Sequence, residues 1–196
     1  NGSARAHGHL CPGQVIGVRM ALLGLELAGL NPIKNPKDIK KLIVFVEMDR
    51  CAADAISFVT GATLGRRSLK FKDYGIMAAT FVNLATAAAF RIVSTETARA
   101  LAPEYAPDLS DPHTQQLEAY KIMPLALLFD VFQVEAGLDD TDLPGPTREK
   151  IACAECGIII RDSRQIISGT RHLCHECAGR AYYKKITRVN LSGWEA

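Results

Sequence analysis

An α+β fold is predicted for the greater part of this chain, with a mixed sheet of about five strands flanked by helices and a small cysteine-rich module behind it. Three observations predict it. Apolar residues recur at helical spacing directly after residue 12, a β-branched apolar run at 42–48 reads as a central strand, and several short alternating segments follow without a βα repeat. Two C-x-x-C pairs then close the sequence beyond a stretch rich in Gly, Pro and Asp.

The first helix begins at Pro12. Val15, Ile16, Met20, Leu23, Leu27 and Leu30 fall on one face, and Gly29-Leu30-Asn31-Pro32 supplies the stop. Residues 34–41 read as polar linker and short helix, Leu42 to Met48 as a buried strand, and Ala52 to Thr60 as a helix with Cys51 at its start. Ser68 to Gly75, Ile76 to Val82 and Ala88 to Val93 read as strands pairing into hairpins. Ser94 to Tyr105 and Thr114 to Ile122 read as helices, Pro124 to Phe129 as a further short one, and Val131 to Glu135 as the last strand of the sheet. The expected division is a core over 1–136, a linker over 137–150 and a cysteine module over 151–196.

With 48% hydrophobic and 22% charged residues in 196, the composition is that of a globular protein. No apolar run reaches the eighteen or so residues a membrane span needs, and neither a membrane association nor a signal peptide is expected. Six cysteines, four of them in C-x-x-C pairs, point to metal ligation in a reducing cytoplasm more than to a disulfide framework.

Chemistry concentrates in His7-Gly8-His9-Leu10-Cys11-Pro12-Gly13. In an extended segment alternate residues share a side, so His7, His9 and Cys11 can line one wall, and Cys51 adds a second thiol if its helix start comes near. Imidazole and thiolate suit Zn²⁺ or another transition metal. Cys51 at a helix N-terminus is expected to have a depressed pKa. Asp54, in that helix's first turn, either stabilises the helix start or touches a metal or substrate. Arg19 is read as a surface arginine or an anion partner, and Gly61 to Arg67 as a glycine-flanked loop without the lysine of a P-loop.

HGHLCPGQVIGVRM, with the later EMDRCAADAI and GATLGRRSL, resembles the FmdE family, named for the E component of formylmethanofuran dehydrogenase, over roughly residues 7 to 135. The resemblance implies an α+β core with a cysteine- and histidine-lined active site able to hold zinc, followed in some members by a zinc finger. It also implies association, in methanogens, with the other components of a molybdenum or tungsten enzyme. Carried over by position, the functional residues are His7, His9, Cys11, Cys51 and Asp54, with Cys11, Cys51 and Asp54 as candidate catalytic groups. The chain departs from the family pattern at Ala62, where cysteine is frequent, and at Arg66, where lysine is usual.

Cys153 and Cys156 stand seventeen residues before Cys174 and Cys177, a spacing that lets four thiolates close a tetrahedron around structural Zn²⁺. A hairpin over 158–162 and 165–173, then a helix from Ala178 to Ile186, predicts a treble-clef finger with His172 and His175 outside the shell. From Arg148 onward nine basic residues stand against five acidic ones, so nucleic acid is a conceivable but unfavoured partner. Three readings follow: a two-site zinc protein, forming a homodimer with its fingers exchanged across the linker; a finger that binds nucleic acid or another protein chain of a larger enzyme; and a metal-free thiol enzyme using Cys11 or Cys51.

Overall fold

The computed structural model describes residues 2–30, 38–190 and 192, and the chain forms two compact units, Asn1–Gly145 and Pro146–Ala196. Asn31-Pro32 and the start of the expected 34–41 linker lie outside the described residues.

In the first unit, α1 (Gly2–His7) precedes α2 (Pro12–Leu27), a 3-10 turn (Asp38–Lys41), β1 (Leu42–Val46) and α3 (Cys51–Thr60). β2 (Leu69–Phe71), β3 (Ala78–Asn83) and β4 (Ala89–Ser94) follow, then α4 (Glu96–Tyr105), α5 (Pro112–Ile122), α6 (Leu125–Leu128) and β5 (Phe129–Gln133). The sheet order is β2-β1-β3-β4-β5. β1 and β2 run parallel and the other pairs antiparallel, as in the hairpin of β3 and β4. This is the mixed five-stranded sheet flanked by helices that the sequence predicts.

Local chemistry sets the ends of these elements. Pro12 opens α2, where its missing N–H costs nothing, and Gly29 and Gly61 adopt φ of 68° and 69° just beyond the ends of α2 and α3. Thr95 and Asp111 cap α4 and α5 by accepting hydrogen bonds from the backbone N–H groups of Ala98 and Thr114. The one helix the sequence does not announce is α1: GSARAH has no apolar period. It forms through long-range contacts, with Gly2 against the ring of Phe58 and the Ser3 hydroxyl donating to the buried side chain of Gln14.

The core lies on one face of the sheet. Leu42, Val44, Val46, Ala79, Phe81 and Ile92 meet Ile16, Met20 and Leu25 of α2 and Ala52 and Ile56 of α3. Fully burying a side chain such as Met20 or Phe81 contributes about 1.5–3 kcal/mol. On the opposite face Ile43, Val82 and Ala89 are covered by Val134, Ala136, Leu138 and Leu143, and Lys70 forms an ion pair with Asp142 at 3.3 Å. The first part of the stretch expected as linker is therefore a strap on the back of the sheet. Further along that face Arg91 grips the buried Glu47 with two hydrogen bonds of 2.7 Å.

The second unit contains two short hairpins, β6 (Lys150–Ala152) with β7 (Ile159–Arg161), and β8 (Ile166–Ser168) with β9 (Arg171–Leu173). The expected hairpin of 158–162 with 165–173 is corrected: β7 pairs backward with β6 because the 153–157 knuckle is itself the turn, while Gly169, at φ 60°, turns β8 into β9. The helix expected over Ala178 to Ile186, on which the treble clef depends, is also absent. Gly179 at φ 69° ends the second knuckle, and Tyr182 and Ile186 are almost fully exposed, so an apolar helix face there would have no surface to pack on. Among the described residues no helix is long and apolar enough to cross a membrane.

Candidate metal centres

The core site exists because α2 and α3 approach more closely than ordinary side chains allow. A Cβ on Gly17 would fall 2.5 Å from the carbonyl oxygen of Ala52 and 2.7 Å from its Cα, and one on Gly13 would fall 3.1 Å from Cys51 Cβ. With small residues at Gly13, Gly17, Ala52 and Ala55, the two helix N-termini lie side by side. Cys11 is the N-cap residue of α2 and Cys51 the first residue of α3. Gln14, nearly fully buried, fastens the junction by donating from Nε2 to the Cys51 carbonyl at 2.6 Å while accepting from Ser3. Sequence reasoning misses Gln14; the available signal is an amide within the apolar face of α2.

His7, His9, Cys11 and Cys51 converge, each offering a donor atom, with all four atoms within 4.8 Å of one another. The expected extended wall is corrected in its geometry. His7 is the last residue of α1, and Gly8 at φ 98° makes the bend that brings His9 back, leaving the two rings 4.8 Å apart between centroids. Cys11 is buried, His7 and Cys51 are partly buried and His9 is exposed, so the site opens to solvent on the His9 side.

Asp54 belongs to this arrangement as a positioning residue. Its Oδ2 lies 2.8 Å from His7 Nδ1. That bond leaves His7 Nε2 buried without a hydrogen-bond partner in the protein. A carboxylate on one imidazole nitrogen and a bare, buried second nitrogen beside two thiols is the pattern of a metal-ligating histidine held by its outer shell. The residues therefore fit a metal ion, and the two-nitrogen, two-sulfur donor set suits a borderline-soft one. The Asp54→Asn variant is expected to lower metal affinity at this site about 10–100-fold with the fold intact, measured by competition with a chromogenic chelator.

The depressed pKa expected for Cys51 is corrected. Burial pushes the Cys51 thiol up, and the neighbouring Cys11 thiol adds to the rise. Loss of water and a second sulfur outweigh the helix terminus.

In the second unit the Sγ atoms of Cys153, Cys156, Cys174 and Cys177 also lie within 4.8 Å of one another, a group that includes neither His172 nor His175. Each pair sits on a knuckle closed by main-chain bonds: Gly157 N–H donates to Cys153 O at 3.0 Å, and Ala178 N–H to Cys174 O at 3.0 Å. The Cys174 and Cys177 N–H groups point at sulfur, reaching Cys153 Sγ at 3.3 Å and Cys174 Sγ at 3.4 Å. The backbone N–H groups of Cys156 and Cys174 hold the Cys153 thiol down at about 6, and hydrogen bonding to Cys156 drives Cys177 up. This cluster can hold a metal ion with every ligand position supplied by protein sulfur.

A family model described as FmdE, molybdenum formylmethanofuran dehydrogenase operon, matches residues 6–131. A protein of Archaeoglobus fulgidus described as a probable S-adenosyl-L-methionine-binding protein is 27% identical over 199 residues, taking in 93% of this chain and 52% of that protein. The chain thus spans about half the length of that relative. The crystal structure of an FmdE-like protein from Syntrophus aciditrophicus, described with tungsten formylmethanofuran dehydrogenase, superposes with a TM-score of 0.58 at 19% identity, covering 91% of this chain and 89% of that one, a likeness of fold.

Proposed function

Because this chain belongs to the FmdE family, we propose that it is a two-site zinc protein, with an open site in the core where its chemistry or metal handling occurs and a closed structural site in the C-terminal unit. The observation that carries the reading is the bare, buried Nε2 of His7, oriented by Asp54 toward Cys11 and Cys51. When bound there, a zinc ion supplies Lewis acidity for polarising a carbonyl or activating water. The chain's own residues hold the donors: Asp54 fixes the His7 ring, Gly13 and Gly17 let the thiols meet, and exposed His9 forms the side open to incoming molecules. A cytoplasmic homodimer serving a molybdenum or tungsten enzyme of one-carbon metabolism is the setting we propose, on the family relation.

Elemental analysis tests the reading. Two zinc ions per full-length chain are expected, and one in the Cys11→Ser/Cys51→Ser variant. A wild-type protein with one ion, or a double variant that keeps both, would sink the core site. The metal-free thiol reading is disfavoured by the raised pKa of Cys51, which keeps that sulfur protonated and a poor nucleophile near neutral pH. A finger reading nucleic acid is supported only by the modest basic excess after residue 148. The description of the Archaeoglobus relative favours a second reading, in which the chain binds S-adenosylmethionine. Equilibrium dialysis against that compound decides it, absence of saturable binding ending the idea.

A further inference from the structure

Beside the core site lies a pocket of about 280 Å³, near the lower end of ligand-sized clefts. Its walls come from the segments that place the donors: α1, the loop at Leu10 between His9 and Cys11, and the first turns of α2, with Lys121 of α5 closing it. Leu10, Val15 and Val18 make the lining largely apolar, and Gln14, which touches the Cys51 carbonyl, stands between it and the thiols.

Two cations line the same cavity. Arg19 is held by main-chain oxygens, its Nη1 donating to Tyr120 O at 2.7 Å and Met123 O at 2.6 Å, and among the described residues no carboxylate pairs with it. Burial lowers its pKa, so a counter-charge in the cavity would relieve a real cost. The Lys121 ammonium makes one bond, to Glu118 at 2.6 Å, and retains further donors. An apolar wall with two under-neutralised cations is complementary to an amphipathic anion.

We propose that this pocket binds the substrate of the core site and that the substrate is a small organic carboxylate, its carboxylate between Arg19 and Lys121 and its apolar body along Leu10, Val15 and Val18. As an assignment of substrate class this rests on the core-site reading above. A carboxylate can accept from both cations at once, which a neutral amide of the same shape cannot match.

The test is methyl NMR of the full chain titrated with hexanoate and, separately, hexanamide, with metal content measured on the same samples. Saturable shifts at Leu10, Val15 and Val18 are expected with hexanoate, and binding about tenfold weaker with hexanamide, the order of one charge-assisted hydrogen bond left unmade. Arg19→Gln should abolish the preference but removes a tie to α5, so the deciding variant is Lys121→Gln, on a half-exposed side chain. It should weaken hexanoate while leaving hexanamide unchanged. No saturable shift, equal binding of the two compounds, or a Lys121→Gln protein with wild-type hexanoate affinity each overturns the proposal. Full metal with no hexanoate binding defeats the pocket alone. Discriminating hexanoate binding in a protein without core metal upholds the pocket's ligand class and defeats the core-site reading.

Discussion

Replacing Cys153 by serine is expected to strip the C-terminal unit of its metal and unfold it, leaving the α+β core in place. In that unit the buried hydrophobic residues are Cys153 and Leu173, while Ile158, Ile159, Ile167, Tyr182, Ile186 and Val189 are exposed. Burying one leucine contributes about 2 kcal/mol, about what fixing the backbone of one or two residues costs. Hairpins of three-residue strands cannot close that gap, so the metal must hold the unit together. Cys153 is the most damaging of the four to lose, being buried at the meeting of both knuckles and accepting from the Cys174 N–H. Serine offers a harder, more basic oxygen that remains protonated where the thiol ionises at about 6. Elemental analysis should read one ion fewer per chain, and trypsin should cut quickly at Arg161, Arg164 and Arg171. A Cys153→Ser protein that keeps its full metal content and resists trypsin there would refute the argument.

Gly17→Ala is the second large effect, and it separates two opposing terms. In a helix interior alanine is favoured over glycine by about 1 kcal/mol. Here the added methyl would meet the Ala52 carbonyl oxygen at 2.5 Å and the Ala52 Cα at 2.7 Å, which are backbone atoms that cannot swing aside. Overpacking of this kind costs about 1–3 kcal/mol, and relief requires α3 to move off α2, taking Cys51 away from Cys11. Net destabilisation and loss of the core metal are expected together, read by urea unfolding and elemental analysis. Gly65→Ala, where a Cβ meets nothing within 4 Å, is the control and should change neither. If Gly17→Ala matched the wild type in both measurements, close helix approach would not be what builds the site.

How much of this is legible in the sequence follows from the range of the forces involved. Pro12 and Gly29 bracket α2, the apolar run at 42–46 marks β1, and two C-x-x-C pairs announce their cluster, because each is written locally. The four core donors are legible as residue types, but their geometry is not. Helix α1 depends on Phe58 and Gln14, and the His7–Asp54 bond joins residues forty-seven apart. The acidity of Cys51 is misjudged from sequence because a helix terminus can be read there and a neighbouring buried thiol cannot. The helix expected after Cys177 fails for the converse reason: local propensity is present, but the packing surface is not.

The strap that carries Leu138 and Leu143 across the back of the sheet has a consequence for how such chains can vary in length. Insertions or deletions between Ala136 and Leu143 would pull apolar side chains off Ile43, Val82 and Ala89, whereas changes at Gly145 and Pro146 disturb the interior of neither unit. A relative without the cysteine module must still run past Leu143 to seal its sheet. The evolutionary seam of the molecule therefore lies several residues beyond the last strand of its core.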